Sequence, residues 1–270
     1  MYSNTDKNNY QVVPFPKGRR LITDIGWMAH NKHTIRGLLE IDVTWPRQVI
    51  QKHQEKTGEK LSFTAYLTTC AGQAIGKNKY LHAYRDFLGR LVLYDEVDIA
   101  TLIEVENDGK KYPVGHIIRA ANKKSYHEIH TEIRTAQRNS MDDQGVQQLY
   151  AFRQLPGFIR RLIFLFIGRS PQLKKKYSGT VSLTAVGMFG NGGGWGIGLP
   201  SHTLGITVGG IARKPGIYKD KIEHSEYLNV TLDFDHDIVD GAPAARFAQQ
   251  FSELVESGNV LNERYGQDSF

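Results

Sequence analysis

The residue types best suited to chemistry lie together near the C-terminus, in Asp235-His236-Asp237-Ile238-Val239-Asp240-Gly241. They follow Leu228–Phe234, in which Leu228, Val230, Leu232 and Phe234 alternate with Asn229, Thr231 and Asp233. Strict alternation predicts a strand with two distinct faces. They precede a segment with Ala244, Phe247, Ala248, Phe251, Leu254 and Val255 at helical spacing, closed by Gly258. A histidine at such a junction is fixed by the strand end and left accessible by the loop. A free imidazole changes charge near neutral pH, which suits the residue type to general-base chemistry. Asp240 could orient the local structure, and Gly241 permits a tight turn. Taken alone, the same pattern also suits a hydrogen-bonded structural histidine.

The elements that must position this turn alternate between helix and strand signals, which predicts a mixed α/β domain. Residues 38–43 read as a short strand. Thr44 then offers an N-cap, with Pro46 in the first turn of a helix through about His53. A second helix is predicted from Ser62 to about Gly76, apolar on one side and carrying Cys70 in the core. RLVLYDEVDIATLIEVE holds two further strands, and VGHIIRAA another. Ser125 and Glu128 form a capping box opening a helix whose stripe is Tyr126, Ile129, Ile133 and Ala136. His127 and His130 on that helix are read as surface histidines, because no further ligand for a metal is indicated.

The chain of 270 residues has a formal net charge of +6. From Phe152 to Ser178 it carries Arg153, Arg160, Arg161, Arg169, Lys174, Lys175 and Lys176 and no acidic residue. Such a patch could meet a polyanion (nucleic acid, an anionic membrane surface or cofactor phosphates) or form a solvated basic face. No nucleic-acid motif accompanies it. The same stretch holds the apolar run Leu162–Ile167, far short of the roughly 20 residues of a membrane span. Arginines alternating with large apolar side chains suit an amphipathic helix against a partner, a membrane or the protein's own flank. A single cysteine excludes an intramolecular disulfide and a cysteine-based zinc cage. The N-terminus lacks the pattern of a secretory signal, and the chain is expected to be cytoplasmic. The expected organisation is an N-terminal tail over 1–9, one domain over 10–264 with a basic, apolar insert at about 138–178, and a tail over 265–270.

DHDIVDGAPAARF resembles the D-H-R-x-x-D-G-A-x-A-A-R-F signature of the 2-oxoacid dehydrogenase acyltransferase catalytic domain. GTVSLTAVGMFG (179–190) is similar to that family's G-T-F-T-I-S-N-L-G-M-F-G, and LVLYDEVDIATLIEV and IIRAANKKSYHEIHTEI resemble two further family segments. Residues 18–258 follow the family in order. The resemblance implies a chloramphenicol acetyltransferase-like fold: a mixed-sheet α/β sandwich with flanking helices.

It also implies a CoA-dependent acyltransferase that moves an acyl group between a CoA thioester and a thiol such as dihydrolipoamide. His236 matches the general base and Thr184 the hydroxyl that donates to the tetrahedral oxyanion. Asp240 matches the motif aspartate, which pairs with an arginine near the domain start, here Arg19 or Arg20. Coenzyme A is then a substrate, and no metal is implied. Two positions depart from the pattern: Ala185 stands where the family has asparagine, and Asp237 where an arginine commonly follows the histidine. They leave open transfer to a small-molecule hydroxyl or amine, as in the chloramphenicol branch. A non-catalytic trimeric scaffold is the reading from another class.

The family's trimer, with each active site between neighbouring subunits, is the expected assembly. The closing NVLNERYGQDSF lacks an apolar anchor, so no large cage is expected. No lipoyl domain is recognised in this sequence, which implies a lipoyl-bearing carrier or dehydrogenase subunit on another chain.

Overall fold

The computed structural model describes residues 10–16, 19–107, 110–139, 152, 154–185, 192–218 and 221–261. The expected tails at 1–9 and 265–270 therefore lie outside the described residues, as do 140–151 and Arg153 of the insert and Val186–Gly190 of the GTVSLTAVGMFG segment.

Six strands form one mixed sheet: β1 (Thr34–Asp42), β4 (Ile99–Asn107), β5 (Lys110–Ile118), β6 (Val181–Ala185), β7 (Leu204–Tyr218) and β8 (Lys221–Asp235). Their order is β1-β8-β7-β6-β4-β5, with β6 parallel to both neighbours and the other pairs antiparallel. A separate short hairpin pairs β2 (Tyr84–Arg85) with β3 (Leu91–Val92). This is the mixed α/β architecture expected from sequence.

The helices are α1 (Arg20–His30), α2 (Thr44–Thr57), α3 (Phe63–Gly76), α4 (Tyr126–Asn139), α5 (Gly157–Arg169), α6 (Pro171–Ser178) and α7 (Gly241–Ser257). The core joins one sheet face to α3, α4 and α7 through residues such as Ile103, Leu183, Ile206 and Val230, packed with Tyr66, Ile129 and Phe251. α7 ends where Gly258 takes the left-handed conformation (φ 66°) that glycine adopts without a Cβ clash. Ser62 caps α3 by accepting from the Ala65 N–H, and the Ser125–Glu128 box forms as expected.

Several local expectations are corrected. Thr44 is not the cap of α2 but its first residue. Its N–H donates to the Asp42 carboxylate, and its hydroxyl accepts from the Glu226 N–H, tying the helix to β8. α3 is not one-sided: almost every residue from Ala65 to Ile75 is buried. It is a central helix, apolar all round because it is covered all round. His130 is not a surface residue but is buried, accepting from the Ser62 N–H and facing Glu59. Among the described residues no cluster of three or more potential metal ligands exists.

The basic stretch is solvated only in part: Arg161, Arg169 and Lys176 are exposed, whereas others are not. Arg160 is buried in an ion pair with Asp24 of α1 at 2.7 Å, and Lys174 is buried beneath α6. Lys175 pairs with Glu96. α5 thus packs on the protein's own flank, held to α1 through Arg160.

Candidate active site

The turn after β8 is built by backbone hydrogen bonds at the sheet's end. The Asp235 N–H donates to Thr203 O, and the His236 N–H to His33 O at 2.7 Å. The Ile238 and Val239 N–H groups both donate to Asp235 O, closing the turn that leads into α7. Asp235 is itself buried, its carboxylate paired with Lys32 and accepting from the Asp237 N–H. A fixed backbone thus holds an accessible imidazole, for the His236 side chain is 45% exposed.

Asp240 lies differently from the expectation. Its carboxylate stands 3.8 Å from His236 Nδ1, an ion-pair distance longer than a hydrogen bond. Its side chain is 86% exposed. The backbone O of Asp240 starts α7 by accepting from the Ala244 N–H. Neither Arg19 nor Arg20 pairs with it among the described residues. The expected Asp240–arginine pair is therefore not made among the described residues.

Asp237, the charge reversal, has a partner in His33, whose Nδ1 lies 2.8 Å from Asp237 Oδ1. That hydrogen bond holds the Asp237 carboxyl below the usual carboxylate range, helped by the charges of Arg85 and Lys32. Sequence reasoning missed Lys32 and His33, because their carboxylate partners are 203 and 204 residues away.

Thr184 occupies another part of the sheet. It lies opposite Thr207 on β7, which lies opposite Thr231 on β8. This row lies on the sheet face away from the helices, where Leu38 and Leu102 are exposed. Thr231 Oγ1 is buried there without a hydrogen-bond partner among the described residues. Crossing from β6 to β8 and then running from Thr231 to His236 places Thr184 and His236 roughly 20 Å apart in one chain. One chain does not bring the two expected catalytic groups together.

Residues 192–198 cross this face beside the bulge between Val208 and Ile211. The Gly194 N–H donates to Asn229 Oδ1, and Gly194 O accepts from the Gly210 N–H. The approach is so close that a Cβ on Gly209 would stand 2.1 Å from Gly194 O. Glycine at this position is a steric necessity.

At the far end of β8, a cavity of about 1100 Å³ opens between α2, α3 and the ends of β7 and β8. Arg47, Lys60, Arg134, Arg213 and His224 line it, with Glu104 and Glu226 among them. Arg47 and Arg213 both pair with Glu226. Cations outnumber carboxylates in this wall, so it suits a polar, anionic ligand.

Beside the His236 turn, two more titratable groups are buried. His202 bridges Ser201 Oγ and Ser178 O, and burial pushes its pKa well below the ordinary value. Lys174 Nζ donates to Ser201 O at 3.2 Å and lies 4.8 Å from the centre of the Tyr84 ring. Burial, with the charge of Lys32 added, pushes its pKa down to about 7. Nothing in the charge run Lys174-Lys175-Lys176 marks the first of them as the buried one.

Residues 169–262 match the family model of 2-oxoacid dehydrogenases acyltransferase (catalytic domain), which bears out the resemblance read from the motifs. The chain is 24% identical over 240 residues to the dihydrolipoyllysine-residue succinyltransferase component of the 2-oxoglutarate dehydrogenase complex of Staphylococcus saprophyticus, covering 87% of this chain and 49% of that protein. It spans between 19% and 49% of the length of the curated relatives it matches. A probable dihydrolipoamide acetyltransferase from Listeria monocytogenes has a similar fold, with TM-score 0.67, 19% identity, and 92% of this chain and 95% of that one covered. A chloramphenicol acetyltransferase is similar at TM-score 0.50 and 14% identity, with 90% and 96% covered.

Proposed function

We propose that the protein is a CoA-dependent acyltransferase whose active site forms between two copies of the chain. The observation that carries this reading is the placement of His236: an accessible imidazole on a backbone-fixed turn, inside the segment that matches the acyltransferase model. In the forward reaction His236 takes the proton of an acceptor thiol such as that of a dihydrolipoyl group. The thiolate attacks the carbonyl carbon of the acyl-CoA thioester. Thr184 Oγ1 donates to the resulting oxyanion, which on collapse expels CoA thiolate. That thiolate regains the proton from His236, so charge and protons balance over the cycle.

The separation of Thr184 and His236 within a chain supports a composite site, His236 from one copy meeting Thr184 from the next. A homotrimer arranged in this way fits the family resemblance, with a lipoyl-bearing carrier on another chain as acceptor and the cytoplasm as compartment. The basic cavity fits the phosphates of CoA. The expected domain, 10–264 with its insert at about 138–178, is the unit that carries this activity.

The test is CoA release from a panel of acyl-CoAs with and without dihydrolipoamide. Turnover that needs the acceptor and collapses in His236→Ala supports the reading. Turnover on a small-molecule alcohol or amine alone would favour the chloramphenicol-like alternative. A folded protein that neither turns over nor binds CoA would favour the scaffold.

A further inference from the structure

The inserted helix α5 divides its residues sharply between two sides. Arg160 points inward to Asp24, and Gly168 packs near Met28 of α1. Phe158, Arg161, Leu162, Leu165, Phe166 and Arg169 are exposed. At about 100° per residue these six fall on one contiguous arc of roughly 140°. That arc holds four large apolar side chains and two arginines, with no acidic and no neutral polar residue.

The surface continues beyond the helix. Phe166 meets Phe87 of the β2–β3 hairpin, with ring centres 5.3 Å apart, and the hairpin tip projects Leu88 at 75% exposure. On the other side Arg161 lies over Trp27 of α1, itself 40% exposed. A large exposed apolar patch rimmed by charge marks an interaction site.

Charge decides among the occupants. Asp24 is the single carboxylate facing both Arg160 and Arg161, and Arg169 makes no ion pair among the described residues. The exposed arc therefore presents uncompensated positive charge beside aliphatic and aromatic groups. Two copies meeting through this face would bring like charges together, whereas an anionic partner would compensate them. The arc offers no neutral hydrogen-bonding side chain with which to read a protein surface. Arginines that extend their charged heads outward from an apolar stripe, with a tryptophan at the edge, match the boundary between acyl chains and anionic headgroups. α5 has 13 residues, about 20 Å of helix, and no described helix is long and apolar enough to cross a membrane.

We propose that the outer face of α5, extended by the β2–β3 hairpin tip, docks the protein on an anionic lipid surface. The helix lies in the headgroup region with its apolar side chains inserted, and Arg161 and Arg169 meet lipid phosphates. Docking of this kind fixes an enzyme at a membrane surface without spanning it.

The full chain is mixed with vesicles of phosphatidylcholine, with or without phosphatidylglycerol, and bound protein is measured by sedimentation. The expected result is binding to the phosphatidylglycerol vesicles, at least about tenfold weaker on neutral vesicles and weakened by salt. Leu88→Gln, Phe158→Gln and Leu162→Gln combined remove only exposed apolar groups and should weaken binding about tenfold, with melting temperature and oligomeric mass unchanged. Arg161→Gln with Arg169→Gln should remove the dependence on phosphatidylglycerol. Absence of binding, or equal binding to both vesicle types, would overturn the proposal. A loss of oligomeric mass in the triple variant would also overturn it, by showing that the face lies between copies.

Discussion

The turn at His236 and the inserted helices α5 and α6 are fixed by opposite means. At the turn, backbone N–H and carbonyl groups do the work: Asp235, His236, Ile238 and Val239 all donate into the sheet's end or the turn itself. In the insert, side chains do it, through Arg160 on Asp24, Lys175 on Glu96 and Lys174 under Tyr84. Backbone anchoring is insensitive to the identity of the side chain it presents. The histidine can therefore be replaced without losing the turn, whereas the insert depends on particular charges in particular places.

The largest expected effect follows from that difference. His236→Ala should lower kcat by about 10²–10⁴ while leaving the melting temperature nearly unchanged, as read by steady-state CoA release and thermal unfolding. A comparable loss of stability would mean that the side chain, not the backbone, holds the turn. In the insert the expectation reverses. Asp24→Ala strands the buried Arg160 guanidinium and should cost about 3–5 kcal/mol of stability in urea unfolding, with little change in turnover per folded molecule. Thr184→Val should lower kcat by about 10²–10³, the effect of losing one oxyanion donor, with a smaller change in stability.

The last effect is read as a gradual slope in pH, and it concerns Lys174. Its pKa is pushed down from 10.5 to about 7, so the unfolded chain binds more protons than the folded one between those values. Stability from this group should therefore rise with pH across that window, by at most about 1.4 kcal/mol per unit. Lys174→Met should flatten the rise, measured by urea unfolding at neutral and alkaline pH. An unchanged pH profile would show that Lys174 keeps its proton across this window in the folded state, contradicting the depressed pKa.

Legibility in the sequence follows the same division. The alternation of Leu228–Phe234, the helical spacing of α7 and the Ser125–Glu128 box are local patterns, and each formed where expected. The turn carrying His236 was legible because it sits between two such patterns. Three things were not. The partners of Lys32 and His33 depend on pairing across the whole chain. The burial of Arg160 and Lys174 was hidden because a run of like charge reads as solvated surface. The distance from Thr184 to His236 depends on strand order β8-β7-β6, which no local spacing encodes. The buried threonine face of β8 belongs with these: alternation marked Asn229, Thr231 and Asp233 as polar, but not as covered.

The central claim, a site shared between copies, is tested by mixing two variants that are each inactive. His236→Ala and Thr184→Ala are unfolded together, refolded, and assayed for CoA release against each variant treated alone. If one copy supplies the histidine and its neighbour the threonine, random assembly rebuilds intact sites, and activity should return to about a quarter of the wild-type level. If both groups served within a single chain, no mixed assembly would hold an intact site, and activity would stay at the level of the separate variants.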